Sequence, residues 1–274
     1  MSTDRSYETE KSAATAFSKQ APIFDQLYSA DTIIRYKRKR VRDHVEEFIQ
    51  PQSRILELNA GTGEDAMYFA SRGHSVHATD ISTGMQDILK EKIKGQPTER
   101  QITNELCSFT ELENLQQQGP YDYIFSNFAG LNCTGRLEKV LDSFQHLLKP
   151  GGLVTLVILP KFCAWEMLLL FKGKFKTAFR RFAGRKGAKA HVEGEYFRCW
   201  YYNPSFIIKH LNHSFDKKKL EGLCTIVPPS YLENFAQKHP KFSPWLEKRE
   251  NKLKSRWPWK SIGDYYIITL QKKL

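Results

Sequence analysis

A chain of 274 residues, 41% apolar and 26% charged, is long enough to bury a full core and has the composition of one elaborated globular domain. Its 42 Lys and Arg against 30 Asp and Glu leave a net charge of +12, which points to nucleic acid, an anionic membrane surface or an acidic substrate. No apolar run reaches the roughly 20 residues that span a bilayer, and the five scattered cysteines show neither a disulfide ladder nor CxxC metal spacing.

Residues 1–10 read as a frayed polar tail with no hydrophobic secretory segment, so a reducing cytoplasm is the expected setting, with peripheral membrane attachment as a variant. From Ala13 to Tyr28, the positions Phe17, Ile23, Phe24, Leu27 and Tyr28 predict short helices interrupted near Pro22. A second helix, about Asp31 to Ile49, carries Ile33, Ile34, Tyr36, Val41, Val45 and Phe48, with Asp31 as its N-cap. Its other face holds Arg35, Lys37, Arg38, Lys39, Arg40 and Arg42, a run that by itself reads as a solvated surface.

Strands are expected near 54–58, 75–79, 101–107, 121–127 and 152–159. Helices near 63–72, 83–94 and 135–148 alternate with them, as a parallel sheet requires. The last of these strands is apolar almost throughout, the mark of a central strand covered on both faces. Between the first strand and its helix stand Gly61 and Gly63, which let the backbone approach a ligand beside the free N–H groups of a helix start. Glu57 precedes that turn and Asp80 closes the second strand, so both acids should face one crevice outside the strand ends. An acid after the second strand suits a ribose diol, since a carboxylate accepts two hydroxyl hydrogen bonds. The third glycine of the dinucleotide fingerprint is missing, and a sulfonium tolerates Glu57 better than a pyrophosphate would.

The run Glu57-Leu-Asn59-Ala60-Gly61-Thr-Gly63, the segment Asp80-Ile81-Ser-Thr-Gly-Met85 and the turn Leu148-Lys-Pro-Gly-Gly152 carry a resemblance. Residues 54–160 resemble a class I S-adenosylmethionine-dependent methyltransferase, with Asn59 where that family's first glycine usually stands. The resemblance implies a Rossmann-like α/β fold. Seven mostly parallel strands would have helices on both faces, an antiparallel last strand and helical cap insertions. S-adenosyl-L-methionine would be the cofactor, lined by Glu57, Asn59, Ala60, Gly61, Gly63, Asp80, Ile81 and Met85. Ser108 and Phe109 would stand at the adenine, although a capping Ser and a core Phe fit the same positions. Asn127 would bond the cofactor's amino group. Residues 1–50 would form a helical lid, with Tyr28, Tyr36 and Arg38 near the methionine carboxylate. Residues 51–160 and 204–274 would make the core, the latter including an insertion at 227–262; the segments 214–226 and 264–272 resemble the closing antiparallel pair.

The loop Ser126-Asn-Phe-Ala-Gly-Leu-Asn-Cys133 should sit beside the substrate, with Phe128 and Asn132 as pocket candidates, Asn132 serving equally as a helix cap. It lacks the (Asp or Asn)-Pro-Pro-(Tyr or Phe) of amino-methylating enzymes acting on bases, which argues against adenine or cytosine methylation. Residues 161–203 form a basic aromatic insertion too long for an ordinary loop. Leu168, Phe171, Phe175, Phe179 and Phe182 recur at helical spacing, with Lys174, Lys176, Arg180 and Arg181 between them and a break allowed at Gly173. That pattern fits a cap packed on the domain, a basic amphipathic helix on an anionic membrane, or a phosphate-binding surface. In Tyr196–Asn203 strand alternation would point Tyr201 and Tyr202 to opposite sides, one walling a pocket, or both merely packing. Asn203 should cap a helix starting at Pro204.

His191, His210 and Tyr202 are the candidate general bases, none assigned as catalytic, and no metal site has ligand spacing. The leading reading is methylation of a small-molecule or lipid-like acceptor, at oxygen. The alternatives are a tRNA or rRNA methyltransferase using the basic surface, or a non-catalytic cofactor-binding module that docks on a membrane or partner.

Overall fold

The computed structural model describes residues 2–29, 31–232 and 235–274. Its centre is a sheet of seven strands: β1 (Arg54–Leu58), β2 (Ser75–Asp80), β3 (Ile102–Leu106), β4 (Tyr121–Ser126), β5 (Leu148–Ile158), β8 (Phe215–Leu223) and β9 (Tyr265–Lys272). A separate hairpin pairs β6 (Ala188–Val192) with β7 (Glu195–Cys199). The large sheet runs in the order β3-β2-β1-β4-β5-β9-β8, parallel as far as β5, with β9 antiparallel to both its neighbours. The order reverses between β1 and β4, and that switch point is where open α/β sheets hold ligands.

Helices cover both faces. They are α1 (Ser2–Ser29), α2 (Thr32–Glu46), α3 (Glu64–Ser71), α4 (Thr83–Ile93), α5 (Leu137–Leu147), α6 (Ala164–Leu168), α7 (Phe175–Phe179), α8 (Pro204–Leu211), α9 (Phe235–Lys238) and α10 (Ser243–Leu253). One core layer sets Leu56, Ile124, Val154 and Leu156 against Val140, Leu141 and Phe144 of α5 and Ile207 of α8. The other sets Ile55, Phe125 and Val157 against Val41 and Val45 of α2 and Phe69 of α3. The inner strands are thus apolar on both faces, because each side chain row meets a helix.

Several expectations need correction. Met1 lies outside the described residues, but the rest of the expected tail is helix, and α1 runs unbroken past Pro22. Tertiary packing overrides the local signals here: Ala13, Ala16 and Ala21 are buried, and small side chains let α1 lie close against α4 and the hairpin. The basic face of α2 is not simply solvated either. Lys37 and Arg40 are buried, Arg40 pairing with Glu221 at 3.3 Å and Lys37 lying 3.8 Å from Asp264. Asp31 does cap α2, its Oδ1 accepting from the N–H groups of Ile33 and Ile34 at 2.7 and 3.1 Å. Asn203 occupies the cap position before Pro204, yet its side chain turns away to accept from the Lys161 N–H.

The aromatic insertion is not one helix. Gly173 takes a left-handed conformation (φ +69°) and splits it into short turns. The hairpin that follows closes through Glu193 and Gly194, both at positive φ, the geometry of a type I′ turn. Because the chain leaves the hairpin after Cys199, strand alternation stops there and Trp200, Tyr201 and Tyr202 are all buried. The two insertions meet where the Ala164 N–H donates to the Ile262 carbonyl at 3.0 Å, and Arg181 of the first also binds Asp264, just before β9, at 2.7 Å. Among the described residues no helix is long and apolar enough to cross a membrane.

Candidate active site

At the switch point the strand ends open into a crevice of about 880 Å³, its mouth included, walled by residues of β1, β2, β4 and their loops. Helix α1 roofs it with Ala13, Ala14, Phe17 and Phe24. The floor is the turn after β1. Gly61 sits at φ +58° with no atom within 4 Å of where a Cβ would stand, so the backbone there is open to close approach. Gly63 has a different task. A Cβ on it would fall 2.1 Å from Leu89 Cδ1, so this glycine lets α3 pack on α4.

Asn59, where the resembled family has glycine, also adopts positive φ (47°), a conformation that Asn tolerates better than most side chains. Its amide then bridges two loops, donating to the Asn127 carbonyl at 2.9 Å and accepting from Ser126 Oγ at 2.6 Å. The substitution thus keeps the turn and adds a tie to the end of β4.

Five acids line the crevice, Glu10, Glu57, Glu64, Asp65 and Asp80, and the last of these closes β2. Asp80 accepts from the backbone N–H of Gly61 at 2.9 Å and of Ser82 at 2.8 Å, which fixes its carboxylate at the crevice wall. Burial pushes its pKa up against those two bonds. Glu57 is 3% exposed, and its Oε2 is buried without a hydrogen-bond partner. Burial first and the nearby Asp65 second hold its pKa well above the ordinary range. Asp65 opposes burial with a cluster of donors: Arg38 at 3.0 Å, Arg42 at 2.7 Å and the Asn127 amide at 2.7 Å, and its pKa is lowered in spite of burial. Arg38 also lies 4.9 Å from the centroid of the Phe128 ring. Phe128 and Ala129 are consecutive non-glycine residues at positive φ (48° and 61°), local strain of the kind found at ligand sites.

Of the sequence candidates, Glu57, Asn59, Ala60, Gly61, Asp80, Ile81, Met85, Phe109, Asn127, Phe128 and Arg38 line this crevice. Gly63 stands behind it as a packing residue. Ser108 bonds Thr110 within its own turn and lines a neighbouring hollow instead. Asn127 faces the crevice, but its side-chain amide is committed to Asp65 and its Oδ1 to the Phe128 N–H. Tyr28 lines an adjoining cavity that shares Phe24, Arg38 and Glu64 with the crevice and adds Arg35, Lys39 and Arg42.

Three pocket candidates lie elsewhere. Asn132 is fully buried and ties Leu159 to Trp200 through its amide. Tyr202 donates from its buried hydroxyl to the Thr134 carbonyl, and Tyr201 packs 5.2 Å from the Arg181 guanidinium. Tyr36 likewise bonds Glu250 at 3.0 Å, away from the crevice. Nor do the base candidates converge: His191 packs against Tyr196 in the hairpin with its ring tilted by 39°, and His210 bonds Asp142 at 2.6 Å. Sequence reasoning missed Glu10 and Asp65. A first-turn acid two residues after Gly63 was a signal for Asp65; Glu10, in what read as a tail, offered none.

Cys163, Glu166 and Asp264 cluster closely enough to suggest a metal. The protein's own cations fill that space, because Arg181 lies 2.7 Å from both carboxylates and Arg180 2.6 Å from Glu166. The cluster is an ion-pair network that ties the first insertion to the residue before β9.

Residues 55–152 match the family model described as a methyltransferase domain, of the class I, S-adenosylmethionine-dependent kind, and the strand order, the acid-bearing glycine turn and the acid ending β2 agree with it. The bifunctional biotin-biosynthesis protein BioHC of Cellvibrio japonicus is 27% identical over 199 residues, covering 69% of this chain and 36% of that protein. An uncharacterized methyltransferase of Synechocystis is 29% identical over 47% of this chain and 59% of its own length. The chain therefore spans less than two thirds of either relative. Among solved structures, the CcbJ methyltransferase of Streptomyces caelestis shares the fold with a TM-score of 0.61 at 18% identity, covering 94% of this chain and 98% of that one.

Proposed function

We propose that the protein methylates a small-molecule or lipid-like acceptor at an oxygen that is already anionic, such as a carboxylate or an ionised phenol. The observation that carries this reading is the composition of the crevice wall. Its described lining residues include no His, Lys or Tyr, and four of its five carboxylates are engaged, Glu10 with Arg136, Glu64 with Lys92, Asp65 with Arg38 and Asp80 with two backbone N–H groups, while the fifth, Glu57, is the one assigned to the cofactor. An acceptor that arrives as an anion has no proton to lose.

Bound S-adenosylmethionine supplies a methyl group on a sulfonium. The acceptor oxygen forms a bond to that carbon while the carbon–sulfur pair returns to sulfur, leaving S-adenosylhomocysteine and a methyl ester or ether. A cation and an anion cancel on the way, and such a reaction is favoured where water is excluded. Phe17, Phe24, Ala13 and Ala14 supply an apolar roof. Asp80 stands ready for the ribose hydroxyls, and Glu57, with a free oxygen, for the cofactor's positive end. In the adjoining cavity Lys39 and Arg42 are paired with Asp43 and Asp65, and Arg35, in no ion pair among the described residues, would draw an anionic acceptor towards Arg38, which both cavities share.

The test is transfer of labelled methyl from S-adenosylmethionine into a cell extract, fractionated into lipid, small-molecule, protein and nucleic-acid pools. Label in the lipid or small-molecule pool, released by alkali if it is an ester, supports the proposal. Label in RNA transfers the assignment to the basic surface, and absence of any label counts against catalysis.

A further inference from the structure

The second unusual feature of the molecule is an exposed aromatic surface on the first insertion. Phe171 is 89% exposed and Phe175 62%, with Leu168, Phe179 and Phe182 each more than half exposed. Side chains of this size normally pack inward, and here the inward side is already taken. Leu169, Ala178, Glu166 and Arg181, from the same segment, are all buried, and Arg181 is locked between Glu166 and Asp264. The segment is thus fixed to the domain through one face while its phenylalanines project from the other. No shift of the same helices buries both sets.

The charge around this surface is one-sided. Residues 161–203 carry ten Lys and Arg against three Glu. Lys172, Lys174 and Lys176 alternate with the phenylalanines, are exposed, and join no ion pair among the described residues. The arginines are mostly committed elsewhere: Arg180 and Arg181 to Glu166, and Arg198 to the carbonyls of Lys186 and Gly187. A nucleic acid would take Arg and Lys alike on its phosphates, and here the lysines are what remains. Free lysines on flexible stems between protruding phenylalanines match the water–lipid boundary, where the rings enter the acyl layer and the ammonium groups reach the headgroups.

We propose that the Leu168–Phe182 surface docks the protein on an anionic membrane, with Phe171 and Phe175 inserted and Lys172, Lys174 and Lys176 on the headgroups. This does not depend on the methyl acceptor. It requires only that the insertion be held rigidly with its aromatics outward.

Vesicles of phosphatidylcholine alone and of phosphatidylcholine mixed with phosphatidylglycerol provide the test, using the full chain. Sedimentation with the mixed vesicles only is expected. Replacing the three lysines together by Glu should weaken it on the order of a hundredfold. The pair Phe171→Ser and Phe175→Ser should also abolish sedimentation, while S-adenosylhomocysteine affinity stays unchanged as a check that the fold survives. A Phe171→Trp variant should show a blue-shifted emission quenched by brominated lipid. No binding to either vesicle overturns the proposal. So does binding that survives loss of both phenylalanines, or binding to a single-stranded RNA in place of vesicles.

Discussion

The Arg38 guanidinium lies 3.0 Å from Asp65 and 4.9 Å from the centroid of Phe128, so one side chain joins α2, the start of α3 and the strained loop after β4. Asp65 is the centre of this joint, since Arg42 and Asn127 bond it as well. Replacing Asp65 by Ala would leave two guanidinium groups and an amide facing an apolar hole. The expected loss is about 3 kcal/mol of stability, read from a denaturant midpoint. Asp65→Asn should retain part of it by keeping an acceptor. An alanine variant as stable as the parent would show the joint to be ornamental.

Asp80 is expected to matter for binding more than for folding. Two backbone N–H groups hold it in place, and its remaining acceptor capacity faces the crevice. Asp80→Ala should weaken S-adenosylhomocysteine on the order of a hundredfold in a calorimetric titration, because the acceptor for two ribose hydroxyls is gone. Asp80→Asn, able to accept at one oxygen only, should fall between the two. Unchanged affinity in Asp80→Ala would remove the ribose assignment.

Glu57 should show the reverse pattern, stability and binding moving in opposite directions. Its folded-state pKa is raised, first by burial and then by Asp65. The unfolded chain, with an ordinary carboxyl, sheds its proton earlier as pH rises. The stability that the protonated Glu57 confers is therefore complete below the ordinary carboxyl pKa and is lost as pH climbs through the raised one. Glu57→Gln escapes that loss. The ligand-free variant should match the parent in acid and exceed it at neutral pH, by about 1 kcal/mol. Its affinity for S-adenosylmethionine should fall, since the negative partner of the sulfonium end is gone. A variant equally stable at both pH values would mean that Glu57 is relieved by a partner other than those surrounding it.

How far the sequence could be read follows from the range of the interactions involved. The mostly parallel sheet and the positions of Glu57, Gly61 and Asp80 were legible because strand, turn, helix and acid follow one another directly along the chain between residues 54 and 80. Asn59 was legible as a departure, but its repair was not, because the partners that reward it, Ser126 and the Asn127 carbonyl, come from another strand. Asn132 and Tyr202 looked like pocket residues for a similar reason. Their polar groups satisfy backbone carbonyls that only the folded chain brings to them. The aromatic stripe of the insertion was visible at once, yet periodicity alone did not tell an inward stripe from an outward one; the deciding factor is that Glu166 and Arg181 claim the inner side.

The roof of the crevice depends most on a residue that read as part of a tail. Glu10 of α1 is 2% exposed and reaches Thr110 at 2.7 Å, Thr134 at 2.6 Å and Arg136 at 3.1 Å. These partners belong to the loops after β3 and β4, so Glu10 fastens α1 across that side of the crevice. Ser18, meeting Ser82 at 2.8 Å, holds the same helix further along. Glu10→Ala deprives two hydroxyls and a guanidinium of one shared acceptor and should cost about 2 kcal/mol. The loss should be local. Hydrogen exchange is expected to accelerate in residues 7–20 while β1, β4 and β5 keep their protection, since an element that opens on its own exchanges ahead of the core. Saturating S-adenosylhomocysteine should restore most of that protection if α1 closes over the ligand. Uniform acceleration through the sheet would instead make Glu10 part of the global core, and no acceleration would place the latch elsewhere on α1.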